Sequence, residues 1–380
     1  MKKRIAITIL AMALIQMGTN AVAPILSDIM SAFPGTSAQQ VQFLMTFPCI
    51  FVVVFCMLSS YLASYVSKKI LSSVGCLLVC LGGLFAVTYH ASIGWLLLWA
   101  ALIGIGIGLV VPISTTLISD YFSGEDRIKM MGMQTSAVNI GSIIMSYVSG
   151  LLALKAWQYS YYVYLIALPG FILCLINLPN KRSDSMPDKQ IAPKKLSNKT
   201  LLCCICAFVG ALVFNVIPAN LSMLIAERSI GNSSLAGTAL AVYLLGGCIA
   251  GALFSKIRKT LGKNVISAGF CLLVIGIVIC CFSKSAMVLL IGSFISGTSL
   301  SLIMPECMYQ VSIEGNETTK SIATGLVMSS SNLGTFFLPV ITIISNVFGK
   351  TVMPRLIVTI LMSVIFVTLY EITIKQKLQN

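Results

Sequence analysis

Charge is what this sequence has least of. Only 9% of its 380 residues are charged, against 57% apolar, and so few charges cannot keep a chain of this size dissolved in water. Acids are scarcest: 11 Asp and Glu stand against 25 Lys and Arg. A surplus of 14 positive charges would suit a nucleic-acid binder, but the bases sit in short clusters between long apolar runs, so no nucleic-acid partner is expected. The single histidine, His90, stands at the end of a run, and no cysteine pair joins a histidine at a zinc-like spacing. No metal and no cofactor are therefore expected. The 13 cysteines fall almost entirely inside apolar runs, some adjacent, as Cys203 and Cys204 or Cys280 and Cys281. They read as small core residues, not as a disulfide framework. Nucleophile elbow, phosphate loop and paired catalytic carboxylates are lacking too, so the chain is not expected to be an enzyme. Gly104, Gly106 and Gly108 imitate a nucleotide loop but lie inside an apolar run with no strand before it.

Long apolar runs are what the chain has in abundance. Runs of membrane-spanning length fall near 5–28, 39–62, 69–90, 93–119, 129–153 and 157–178, then near 200–225, 234–255, 262–283, 286–311, 321–346 and 352–373. They do not alternate and are too long for tilted strands, which excludes a barrel. Six spans precede and six follow a polar, proline-bearing stretch, so the expected domains are 1–180, a linker at 181–199, and 200–380. The start resembles a signal peptide, with Ala21-Val22-Ala23 as a cleavage site, but Pro24 follows directly and removal would cost the first half a helix; no cleavage is expected. With the N-terminus in the cytoplasm, all but five of the 25 bases (Lys155, Arg228, Lys284, Lys350 and Arg355) fall on the cytoplasmic side. Both termini are thus expected inside, in a multi-pass protein of the cell inner membrane.

One stretch occurs twice. A gapless shift of 193 positions lays Gly104 on Gly297, Pro112 on Pro305, Ser119 on Ser312, Arg127 on Lys320, Gly132 on Gly325, Ser136 on Ser329, Asn139 on Asn332 and Gly141 on Gly334. Two parallel copies of a six-helix unit point to a transporter working by alternating access, with its site at the seam of the halves.

Local motifs narrow this. The loop after the second span, Ser60 to Lys69, and its twin, Gly251 to Lys259, keep a leucine and a basic end, with Ser64 and Ser255 where a Gly-x-x-x-Asp-Arg-x-Gly-Arg-Arg motif has aspartate. After the fourth span comes Asp120-Tyr121-Phe122-Ser123-Gly124-Glu125-Asp126-Arg127, an acidic-aromatic-turn-arginine sequence. The fifth span carries Gly132, Gly141 and Gly150 in the spacing of a proton-coupled exporter motif, with Met145, Ser146 and Ser149 replacing its Gly-Pro and a later glycine. Ala100 stands where that pattern has an arginine on the fourth helix. With six plus six helices, these features resemble the major facilitator superfamily, nearest in style to its twelve-helix drug:proton antiporters. The resemblance implies an all-α membrane fold of two pseudo-symmetric bundles. It also implies a central cavity lined by the first, fourth, seventh and tenth helices and parts of their neighbours.

Candidate substrate-binding residues are the polar uncharged side chains near mid-depth: Gln16, Asn20, Asn139, Asn215, Asn220, Tyr243, Ser329 and Asn332. Glu306 is the one acid well inside an apolar run. It reads as a proton carrier or a contact for a cationic substrate, or equally as a structural acid paired with Lys256 or Lys259. Candidate gating residues are Asp120, Arg127, Lys68, Lys69, Lys256 and Lys259, with Gly132, Gly141, Gly325 and Gly334 read as symmetric contacts between the halves. A polar cavity without a fixed arginine suits a small neutral or weakly cationic organic molecule and not phosphate, nitrate or a dicarboxylate. The leading expectation is proton-coupled efflux by a single chain. Uptake of a neutral polar metabolite is the alternative and a non-transporting sensor the remote one.

Overall fold

The computed structural model describes residues 2–63, 65–180, 197–312 and 317–379. Among these there is no strand. Twelve helical segments follow one another: α1 (Lys2–Ala32), α2 (Ala38–Leu62), α3 (Lys68–Thr88), α4 (Ile93–Tyr121), α5 (Gly124–Leu152) and α6 (Trp157–Asn177). Then come α7 (Asn198–Glu227), α8 (Ser233–Leu261), α9 (Val265–Cys281), α10 (Ala286–Gly297 with Leu300–Ser312), α11 (Glu317–Phe336 with Leu338–Ser345) and α12 (Val352–Gln379). Eleven are long and apolar enough to cross a membrane. The exception, α9, is shorter than the expected 262–283: its 17 apolar residues reach about 26 Å at the helical rise, and the 3-10 turn Gly262–Asn264 extends it. The expected linker falls mostly on 181–196, outside the described residues.

Lipid offers backbone groups no partner, so each apolar run satisfies its own amides by coiling into a helix. Several starts are set by a side chain that accepts an otherwise orphaned N–H: Ser37 with Gln40 in a capping box, Ser67, Ser197, Asn232 and Ser285.

The chain forms two compact units, Met1–Ala192 and Pro193–Asn380. The same pairings recur inside each: α2 with α4, α3 with α4, α3 with α6 and α1 with α5 in the first unit. In the second they are α8 with α10, α9 with α10, α9 with α12 and α7 with α11. Glycines let these backbones touch. A Cβ on Gly104 would stand 2.5 Å from the Pro48 carbonyl oxygen, and one on Gly297 would overlap the backbone of Tyr243, so the duplicated glycine makes the α2–α4 and α8–α10 contacts alike.

The first helix of each unit is broken. α1 stops at Ala13 and resumes as a 3-10 stretch, Gly18–Ile25, followed by Leu26–Ala32. α7 breaks at Asn215, between Asn198–Phe214 and Val216–Glu227. Pro218 explains the second break, because it offers no N–H to the carbonyl four residues back, that of Phe214. Tyr243 of α8 donates to that carbonyl at 2.7 Å. At the α1 break Tyr164 of α6 donates to the Gly18 carbonyl at 2.9 Å. Pro48, Pro112 and Pro305, by contrast, lie within continuous helical stretches.

Tyr243→Phe or Tyr164→Phe keeps the ring and strands a buried carbonyl. Each is expected to cost about 1–3 kcal/mol, read from thermal unfolding of the purified protein. An unchanged midpoint in both would show that the breaks do not depend on these hydroxyls.

Candidate functional site

In the first unit the α1 break carries Gln16, whose Nε2 donates to the Ser114 hydroxyl of α4 at 2.8 Å. Gln134 of α5 donates to the same oxygen at 2.8 Å, and Ser114 donates onward to the Val111 carbonyl at 2.8 Å. One donor and two acceptor positions exhaust a hydroxyl, so Ser114 is saturated and ties α1, α4 and α5 together. Asn20 and Asn139 are half-buried and make no side-chain hydrogen bond among the described residues. Their carboxamides remain available to a ligand.

The second unit repeats the idea with other residues. Asn215, at the α7 break, donates to the Ala211 carbonyl at 2.8 Å and to Thr335 Oγ1 of α11 at 3.0 Å. Thr335 donates to the Ser331 carbonyl at 3.2 Å. On the same helix Asn332 makes only a local bond to the Met328 carbonyl, 3.1 Å, and Ser329 is half-buried. Two more of the expected ligand residues also take part in the packing. Tyr243 is fully buried on Phe214. Asn220, also buried, donates to the Val216 carbonyl at 2.9 Å and accepts from Arg355 at 2.9 Å.

Charges at the helix ends find partners. Lys68, which opens α3, pairs with Asp120 of α4 at 2.7 Å. The first-unit loop thus supplies the base and the fourth helix the acid, although Ser64 occupies the motif's aspartate position. Lys69 is half-buried, and the side chain of Arg127 lies outside the described part. In the second unit Glu306 of α10 is 1% exposed and pairs with Arg258 of α8 at 2.7 Å. The expected partners, Lys256 and Lys259, are exposed on the same helix. Bases at 256, 258 and 259 point about 100° apart per residue, and it is Arg258 that reaches α10.

The glycines separate into two kinds. A Cβ on Gly141 would overlap the backbone of Leu14, and one on Gly334 the backbone of Phe208. These two make the α1–α5 and α7–α11 contacts inside their own units. Among the described residues a Cβ on Gly132 or Gly325 would meet nothing within 4 Å.

Sequence reasoning missed Ser114, Gln134, Thr335 and Arg258. Gln134 was findable: it lies two turns before Gly141, on the face of α5 that the glycine turns toward α1.

A family model described as the Major Facilitator Superfamily matches residues 8–339. No curated protein matches the chain in sequence. Among solved structures, the nucleoside transporter NupG superposes with a TM-score of 0.80 at 12% identity, covering 97% of this chain and 99% of that one. A bacterial homolog of the human lysosomal transporter Spinster gives 0.75 at 15% identity, over 98% and 96% of the two chains. The peptide transporter POT gives 0.75 at 13% identity, over 96% and 94%. At these identities the likeness is one of fold.

Proposed function

Because the chain belongs to the Major Facilitator Superfamily, we propose that it carries a small neutral or weakly cationic organic molecule across the membrane by alternating access. The observation that carries this reading is the character of the half-buried polar side chains on α1, α5 and α11. Asn20, Asn139, Ser329 and Asn332 are uncharged hydrogen-bonding groups, all half-buried. Two buried ions have partners of their own: Glu306 has Arg258, and Arg355 donates to Asn220 and to the Lys350 carbonyl. A site built from amides and hydroxyls selects by hydrogen-bond geometry and holds no fixed cation for an anion to pair with. Nucleoside and peptide transporters among the similar folds suit the same reading.

Proton-driven export is the direction we favour, supported by the buried acid on α10 and the fifth-helix glycine pattern. The distribution of bases supports a reading in which the chain sits in the cell inner membrane with both termini on the cytoplasmic side. Everted vesicles test the whole reading. Substrate accumulation that an uncoupler collapses is expected, together with protease access to the linker; no accumulation overturns proton-driven export and leaves uptake.

In the same vesicles Asn139→Ala and Asn332→Ala are each expected to lower transport about fivefold to tenfold, the worth of one hydrogen bond of about 1 kcal/mol or slightly more. Ser72→Ala serves as control, its hydroxyl donating locally to the Lys68 carbonyl at 2.7 Å. Equal rates in all three would remove the two asparagines from the site.

A further inference from the structure

Around Glu306, side chains of α10 form a three-part enclosure for a cation, and a residue of the protein itself fills it. Glu306 Oε2 accepts from Arg258 Nε at 2.7 Å, and its Oε1 accepts from the Gln310 amide at 3.1 Å. Tyr309 presents the face of its ring to the same guanidinium, with Arg258 Cζ 3.6 Å from the ring centroid. A carboxylate at one edge of a planar cation and an aromatic face against its plane are the two contacts by which proteins hold organic cations. The enclosure and its occupant have different origins. Glu306 is 1% exposed within α10, whereas Arg258 belongs to the last turn of α8, is 33% exposed and reaches in on a long flexible stem.

We propose that Glu306, Tyr309 and Gln310 form a binding seat for an organic cation of the amidinium, guanidinium or protonated-amine class, and that Arg258 is the internal occupant which such a ligand displaces. The proposal rests on reading the chain as a carrier and narrows its substrate to the cationic side. Exchange of one cation for another keeps the buried carboxylate neutralised at every stage, so the large cost of leaving it unpaired does not arise. A neutral ligand of the same shape cannot make that exchange. Arg258 then acts as a selectivity element, because it holds the seat against everything that does not match its own charge and planarity.

The probe is benzamidinium, with neutral benzamide as its isostere, titrated against the purified full chain by calorimetry and by thermal unfolding. Arg258→Ala is expected to bind benzamidinium at least tenfold more tightly than the wild type, and neither protein is expected to bind benzamide. Adding Glu306→Gln to Arg258→Ala is expected to abolish the gain. Equal affinity in wild type and Arg258→Ala, or a gain that survives Glu306→Gln, overturns the seat. Should Arg258→Ala not fold, Arg258→Lys keeps the charge on Glu306 but gives up the planar fork. It is expected to bind several-fold more tightly than the wild type, and no gain there overturns the seat equally. Vesicle transport reads the other half: binding without transport of any tested cation overturns the carrier reading and leaves the seat, whereas transport without binding at Glu306 does the reverse.

Discussion

Leucine in place of Gly141 or Gly334 is expected to leave almost no folded protein, whereas leucine at Gly132 or Gly325 is expected to be tolerated. At Gly141 the new Cβ would stand 2.5 Å from Leu14 Cα and closer still to the Leu14 carbonyl oxygen. At Gly334 it would stand 2.9 Å from the Phe208 carbonyl carbon, with the oxygen again nearer. These are backbone atoms, which no rotamer change moves aside, so α5 must part from α1, or α11 from α7. That separation breaks the packing that positions Gln16 and Asn215. Overfilling a packed contact costs about 1–3 kcal/mol when side chains can adjust, and more where only the backbone can yield. Against a total stability of about 5–15 kcal/mol, such a change removes most of the margin. The monodisperse yield and unfolding midpoint of the four variants check this. Similar behaviour at all four sites would show that the helices give way more easily than their contacts imply.

Arg228→Ala is expected to be the most damaging change of a charged residue at the ends of α7, α9 and α12. The guanidinium donates to the carbonyls of Cys280 at 3.1 Å and Cys281 at 2.5 Å and to that of Ser283, and also to the Ser283 hydroxyl at 3.0 Å. These carbonyls close α9, where no further turn supplies donors, and a cation there also meets the negative end of the helix dipole. The preceding residue does the converse. Glu227 accepts the Val352 amide at the start of α12 with both oxygens, each at 3.1 Å. Three stranded carbonyls at about 1 kcal/mol each suggest a loss near 3 kcal/mol. Because Arg228 is only half-buried, water recovers part of it, and about 2 kcal/mol is the expected fall. Hydrogen exchange should rise over the α9–α10 connection, and Arg228→Lys, with a point charge instead of a fork, should fall between. A loss below about 0.5 kcal/mol would assign the capping to water.

The repeat made the architecture legible. One shift pairs Gly104 with Gly297 and Gly141 with Gly334, and in the structure each pair does the same task in its own unit. The repeat paired Gly132 with Gly325 in the same way, yet among the described residues these meet nothing. A sequence match cannot tell a glycine that admits a neighbour from one that faces open space, because both lack a Cβ. The polar candidates divide likewise. Asn139 makes no side-chain hydrogen bond among the described residues and Asn332 a local one, while Tyr243 donates to the carbonyl that Pro218 frees, and Asn220 accepts from Arg355. Both bonds depend on a partner tens of residues or more away in the chain.

The sequence by itself determined the solvent, the helix count and the duplication, since run length, charge scarcity and a constant offset are properties of the chain read in order. It also determined which residues share a helix face, because the helical period is constant. Only the tertiary structure decided which face meets which helix: that Arg258 and not Lys256 or Lys259 neutralises Glu306, that Lys68 answers Asp120, and that Ser114 joins Gln16 to Gln134. The reason is geometric. Rotation of a helix about its own axis is set by the packing of its neighbours, and in lipid, with no hydrophobic drive between helices, small residues and single hydrogen bonds are what fix it.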